Sequence, residues 1–158
     1  MIAYARETLF DVVEEVDGLL RLHYEELTLN RDRIALQPRW ASYRALEAAG
    51  NFVLFTARED GQLIGYSAFF IDQHMHYVGL TLATNDVLFL HPDYRTGRTG
   101  VRLIRFCEQE LAKQLPEFKL VWHAKYSNYF AQILEKMDYA REEVMMARMF
   151  PATHKGGV

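Results

Sequence analysis

Arg95, Arg98, Arg102 and Arg105 crowd a short segment that also holds Gly97 and Gly100, a combination suited to gripping an anion. Before them, residues 86–90 alternate around β-forming side chains and Pro92 stops the run; after them, an apolar stripe at helical spacing begins. The segment reads as strand, glycine-bearing loop and helix start. Amides at a helix N-terminus lack intrahelical acceptors and together carry roughly half a positive charge, so phosphates settle there. Cations on that same turn oppose the dipole by about 0.3–1 kcal/mol each, which a bound anion would offset. A solvated basic helix face, balanced by Glu108 and Glu110, is the alternative.

Two common phosphate motifs are excluded. No Lys-Ser or Lys-Thr pair follows the glycines, as a nucleoside-triphosphate loop requires, and Gly97-x-x-Gly100 is only part of a dinucleotide fingerprint. His74 and His76, at strand spacing, can each accept a proton near neutral pH. They lack the further ligands zinc takes, so no metal is expected. Cys107 shares an apolar helix face with Leu103, Ile104 and Leu111 and reads as core, so no covalent intermediate is indicated.

Stepping outward, these residues need a scaffold. Leu9, Val12, Val16, Leu19 and His23 recur at helical spacing over residues 8–27, and a second helix starts at Pro38, carries Trp40, Tyr43 and Leu46, and is capped by Gly50. Residues 52–57 and 63–71 form a hairpin around Asp60-Gly61. Further strands are expected over 76–82, 84–90, 120–126 and 144–150, with a short helix over 127–137. The whole is read as one α/β domain over 1–150 with a flexible tail over 151–158.

At 158 residues, half of them hydrophobic and with a formal charge of −3, the chain can bury a sizeable core. The mildly acidic balance argues against general nucleic-acid binding, and the local arginines suit a small phosphorylated ligand. No membrane span and no signal-peptide core is seen, so a cytoplasmic location is expected.

His91-Pro92-Asp93-Tyr94-Arg95, followed by the glycine-bearing turn and an amphipathic helix, resembles the acetyl-coenzyme A loop of the GCN5-related N-acetyltransferase (GNAT) superfamily, whose usual pattern is Gln/Arg-x-x-Gly-x-Gly/Ala. Arg95 and Gly100 match its ends, and Arg98 stands at its central glycine. Residues 134–139, Leu-Glu-Lys-Met-Asp-Tyr, resemble the family's Tyr-Glu-Lys-x-Gly-Phe ending, and Asn128 with Ala131 resembles the Asn-x-x-Ala before it. The loop variant looks like that of small phage and prophage members. The order of elements over residues 8–150 is similar to the family's as well.

The resemblance implies the GNAT fold: a mixed, mostly antiparallel central sheet flanked by helices, with splayed strands forming the cofactor cleft. It implies acetyl-coenzyme A as co-substrate, held by Leu88, Phe89, Leu90, Arg95, Thr96, Gly97, Arg98, Thr99, Gly100 and Asn128. Strand amides near Leu88 and Leu90 would hold the pantetheine arm and polarise the thioester carbonyl. The acetyl group would pass directly, in a ternary complex, to a primary amine on a small molecule or peptide, and a homodimer is among the expected assemblies.

Such transfer needs a base and benefits from a proton donor for the departing thiolate. Asp86, which period two places on the face of Leu88 and Leu90, is the first candidate base; an aspartate capping a turn with Asn85 is the alternative. His74 is a second candidate. The family's proton-donating tyrosine falls on Leu134, leaving Tyr126 and Tyr129 as substitutes or packing residues. His23, Glu26 and His123 are candidate acceptor-binding residues, against a core histidine and solvated acids. Arg98 and Leu134 also admit a coenzyme A-binding or regulatory protein that keeps the fold without catalysis.

Overall fold

The apolar stripe Leu9, Val12, Val16 and Leu19 winds into helix α1 (Leu9–Leu27) and is buried along its length. Its first amide donates to Glu47 Oε1 at 2.8 Å, on α2 (Trp40–Ala48), so the two helices are tied at one end. Gly50, at φ +77°, ends α2, a left-handed conformation that glycine adopts at little cost. The computed structural model describes residues 1–126 and 129–150. They fall into two units, Met1–His123 and a second beginning at Ala124.

The first unit is built on a five-stranded sheet in the order β1 (Ile2–Glu7), β2 (Phe52–Glu59), β3 (Gln62–Gln73), β4 (Thr81–Leu90), β5 (Phe118–Val121). All neighbours are antiparallel except β4 and β5, which are parallel. Because strand side chains alternate, Leu54, Tyr66, Ala68 and Phe89 join a core with α1 and α2. Phe55, Ile64, Phe69 and Leu90 join a second core with α3 (Thr99–Gln114). Cys107 lies wholly inside this second core, and burial pushes its thiol pKa up, which suits packing and not nucleophilic attack.

Several boundaries differ from the sequence reading. That reading begins the fold at α1, yet β1 precedes it. Its alanines carry little pattern, and it exists because β2 offers an edge, with Tyr4 Oη donating to Thr99 O at 3.1 Å. The strand expected over 76–82 is instead a reversal, in which His74 N–H donates to Leu80 O at 2.8 Å and Gly79 sits at φ +88°. The turn joining two long strands overrides the β propensity of His-Tyr-Val. β5 stops at Val121, short of the expected 126.

In the second unit, the described helix α4 is Phe130–Glu135, shorter than 127–137. Residues 144–150 form no strand; Val144, Met145, Met146 and Phe150 are exposed, since propensity without a paired neighbour does not make a strand. Ser127, Asn128 and residues 151–158 lie outside the described residues.

Candidate active site

β4 is the strand on which the site is assembled. β5 pairs with it only from Thr81 to Thr84, so residues 85–90 have β3 on one side and, among the described residues, no strand on the other. His91 N–H donates to Ile64 O on β3 at 2.8 Å. By the alternation of an antiparallel ladder, the amides of Leu88 and Leu90 therefore face the open edge, and that of Phe89 faces β3. The Phe89 ring is buried in the α1-side core, so Phe89, read as a cofactor contact, is turned away from that edge. Leu90 is held by close approach: a Cβ on Gly65 would lie 2.8 Å from Leu90 Cδ1 and 2.9 Å from Phe89 O.

Beyond β4, residues Pro92–Tyr94 form a single 3-10 turn. Gly97 takes φ +81°, whereas Arg98 has an ordinary φ of −111°. The left-handed residue is thus one place earlier than the family pattern puts its central glycine, and a side chain at Arg98 causes no strain. α3 starts with no side-chain cap, and its first bond inside the helix runs from Arg102 N–H to Arg98 O at 2.9 Å. The amides of Thr99, Gly100 and Val101 are the ones a helix leaves open at this end. Among the described residues Arg98, Arg102 and Arg105 are exposed and pair with no carboxylate.

Arg95 differs from these three. Its Nη atoms meet both Glu26 carboxylate oxygens at 2.5 and 2.8 Å, its Nε donates to Leu90 O at 2.8 Å, and its guanidinium lies 5.2 Å from the Phe89 ring centroid. Two expectations are revised together. Arg95, itself exposed, folds back onto the end of β4, and Glu26, expected to face an acceptor, is its partner.

The register between β3 and β4 slips after Ala68, which pairs with Val87, while Phe69 pairs with Asn85. Asp86 is therefore the extra residue of a β-bulge. The bulge overturns the period-two placement: Asp86 points to the α2 side, opposite Leu88 and Leu90, where Tyr43 Oη donates to its Oδ2 at 2.9 Å. It caps no turn. Burial raises its pKa, while the Tyr43 hydrogen bond and the charge of His123 draw it down. Close by, Tyr66 Oη and His23 Nδ1 share a hydrogen bond of 3.0 Å, and the His23 ring stacks on Phe89 at 5.0 Å. The half-buried His23 thus packs against the core residues Tyr66 and Phe89. His74, in the turn beyond the far end of β4, has no described contact with Asp86.

Asn85 is the residue that the sequence reading misjudged. Buried, it donates through Nδ2 to Val87 O at 2.8 Å, Ala68 O at 3.2 Å and Ser67 Oγ at 3.3 Å, bridging the strands where the bulge breaks the ladder. The available signal is the pair Asn85-Asp86, two consecutive polar residues in an otherwise apolar strand. Tyr43 carries no such signal, because its ring fits the apolar face of α2. Replacing Asn85 by Leu takes its donor from these acceptors, of which Val87 O keeps a bond from Ser67 Oγ at 3.2 Å, and is expected to lower stability by about 1–3 kcal/mol in urea unfolding. A loss below about 0.5 kcal/mol would mean the bulge stands without the amide.

In the second unit Tyr126 and Tyr129 are 99 % and 75 % exposed, and Leu134 is buried. Asn128, expected to bind cofactor, lies outside the described residues. Among those described, no group of three His, Cys, Asp or Glu side chains is arranged for a metal, and no helix is long and apolar enough to cross a membrane.

An open strand edge runs into an uncapped, arginine-rich helix start where the sequence reads as strand, loop and helix. The family model described as acetyltransferase (GNAT) family matches residues 16–139. The chain belongs to that family. The GNAT match runs over most of the elements described above, and the sheet with helices on both faces is the GNAT fold.

Solved structures agree on the fold. A ribosomal-protein-alanine N-acetyltransferase from Brucella melitensis biovar Abortus 2308 superposes with a TM-score of 0.71 at 22 % identity, covering 96 % of this chain and all (100 %) of that one. An aminoglycoside acetyltransferase from an uncultured soil metagenomic sample gives 0.71 at 14 % identity, with 96 % and 95 % covered. A predicted acetyltransferase with acetyl-CoA from Clostridium acetobutylicum gives 0.69 at 13 % identity, with 94 % and 96 % covered. No curated protein matches by sequence. As a GNAT member the chain is an acyltransferase of a family that uses acetyl-coenzyme A.

Proposed function

We propose that this chain is an N-acetyltransferase that binds acetyl-coenzyme A along the open edge of β4 and the start of α3, and transfers acetyl directly to a primary amine. The observation that carries the reading is the arrangement on one strand: edge amides at Leu88 and Leu90, a half-buried carboxyl at the Asp86 bulge, and an uncapped helix start beyond. These residues fit the co-substrate. Two open amides suit an amide-bearing arm and a thioester oxygen, and Arg98, Arg102 and the first α3 amides suit phosphates.

Acetyl-coenzyme A brings an activated thioester. The chain's part is to hold the amine neutral and close to it. Asp86, its pKa raised by burial, takes the proton that the nitrogen loses as the new C–N bond forms and the C–S bond breaks. Tyr43 holds that carboxyl in place. The thiolate leaves as such and takes its proton from solvent. The acceptor class is a small-molecule or peptide amine, in keeping with the ribosomal-protein-alanine and aminoglycoside acetyltransferases of the same fold.

Loss of catalysis with retained cofactor binding is the competing reading, carried by Leu134 at the tyrosine position. Titration with acetyl-coenzyme A, followed by thiol release with polyamines, amino sugars and peptide N-termini, separates them. Saturable binding with amine-dependent release is expected. Binding without release from any amine supports the inactive protein, and absence of binding overturns both.

A further inference from the structure

We propose that Glu26 and Arg95 are positioning residues, a latch that ties α1 to the acetyl-coenzyme A loop, and that Arg95 is not itself a phosphate ligand. This rests on the coenzyme A reading above. Glu26 lies in the last turn of α1, where the macrodipole disfavours an acid, and beside a loop whose open amides and arginines favour an anion. An unpaired carboxylate there would be opposed by the dipole and would repel an anionic ligand of the loop. Its side chain is instead closed by a bidentate pair with Arg95, the planar geometry that guanidinium and carboxylate share.

Arg95 is engaged on three sides: by Glu26, by Leu90 O through Nε, and by the Phe89 ring. The same ring stacks on His23, one turn before Glu26 on α1. The end of α1 thus grips the end of β4 through Phe89 and the loop through Arg95. Leu90 is the point of action. Its carbonyl and amide share the open edge, so the Arg95 bond satisfies the carbonyl and leaves the amide available.

The test turns on sign. If Glu26 acts only through its charge, removing it draws an anionic ligand in and tightens binding. If it is a latch, binding weakens, by about threefold for Glu26→Gln and about tenfold for Glu26→Arg, read as acetyl-coenzyme A dissociation constants by calorimetry on the full chain at fixed ionic strength. Arg95→Glu is expected to weaken binding by about tenfold as well, and Glu26→Arg with Arg95→Glu together to return within about threefold of wild type. A phosphate-binding Arg95 gives the opposite result, with the double variant as weak as Arg95→Glu alone.

Circular dichroism and melting temperature confirm that each variant is folded, and Glu26→Gln carries the sign test if the reversals do not fold. Tightening in either Glu26 variant, or no rescue in the double, overturns the latch. Wild-type protein that fails to bind acetyl-coenzyme A overturns the coenzyme A reading and the latch with it.

Discussion

Asp86→Asn is expected to lower kcat/KM for amine acetylation by about 100-fold to 1,000-fold at neutral pH and, at the same pH, to raise the stability of the protein. The first effect follows from removing the proposed general base while leaving shape and the Tyr43 hydrogen bond, which an amide oxygen still accepts. The second follows from linkage. Burial raises the Asp86 pKa above its unfolded value, so its favourable contribution is complete below the unfolded pKa and is lost as pH rises through the folded one. At neutral pH the ionised carboxyl is a net cost that asparagine removes.

The gain in melting temperature should therefore shrink as the pH falls through the raised, folded pKa of Asp86 and vanish below the unfolded one, and urea unfolding across pH measures it. Tyr43, Tyr66 and His123 are the groups that act on or lie near this carboxyl. Tyr43→Phe removes a bond that holds the Asp86 pKa down, so the acid limb of the kcat/KM profile should move to higher pH. An Asp86→Asn protein with unchanged kcat/KM places the base elsewhere.

The parts of this site that follow local rules were legible in the sequence, and those that depend on a partner strand were not. The stripe of α1, the Asp60-Gly61 hairpin, the apolar run of β4 and the glycine-bearing loop each announce themselves by spacing or turn chemistry. β1 did not, because two of its six residues are alanines and its existence depends on the β2 edge. The Asp86 face was misjudged for a related reason. Period two holds only while the ladder is regular, and one inserted residue sends every position on one side of it to the opposite face. Arg95 and Glu26 are 69 positions apart, so no spacing rule joins them.

Under the proposed function, the same insertion lets one strand serve two reactants. Past the bulge, Leu88 and Leu90 turn their amides to the open edge, while Asp86 itself turns to the α2 side, where Tyr43 holds it. Without the bulge the carboxyl would lie on the α3 side, in the core with Leu103 and Cys107, where a charge has no partner. Asn85 makes the insertion affordable, since its amide meets the carbonyls that the broken ladder leaves.

Arg98→Ala combined with Arg102→Ala should weaken acetyl-coenzyme A binding by more than about 100-fold at low ionic strength, taking about 1.5 kcal/mol, the low end for a hydrogen bond to a charged group, for each arginine. These two side chains are exposed, four residues apart at the start of α3, and lack a carboxylate partner among the described residues. Their charge is therefore available to a ligand, whereas that of Arg95 is paired with Glu26. Two controls separate a phosphate grip from general loss of structure. Added salt should narrow the gap between variant and wild type, since exposed charges are screened over about 8–10 Å near physiological ionic strength. Acetyl-pantetheine, which keeps the thioester arm but carries no phosphate, should react with both proteins at similar kcat/KM. If the substitutions slow acetyl-pantetheine as much as acetyl-coenzyme A, the arginines support the loop and do not bind the ligand. If neither substrate is affected, the anion site is not at this helix start.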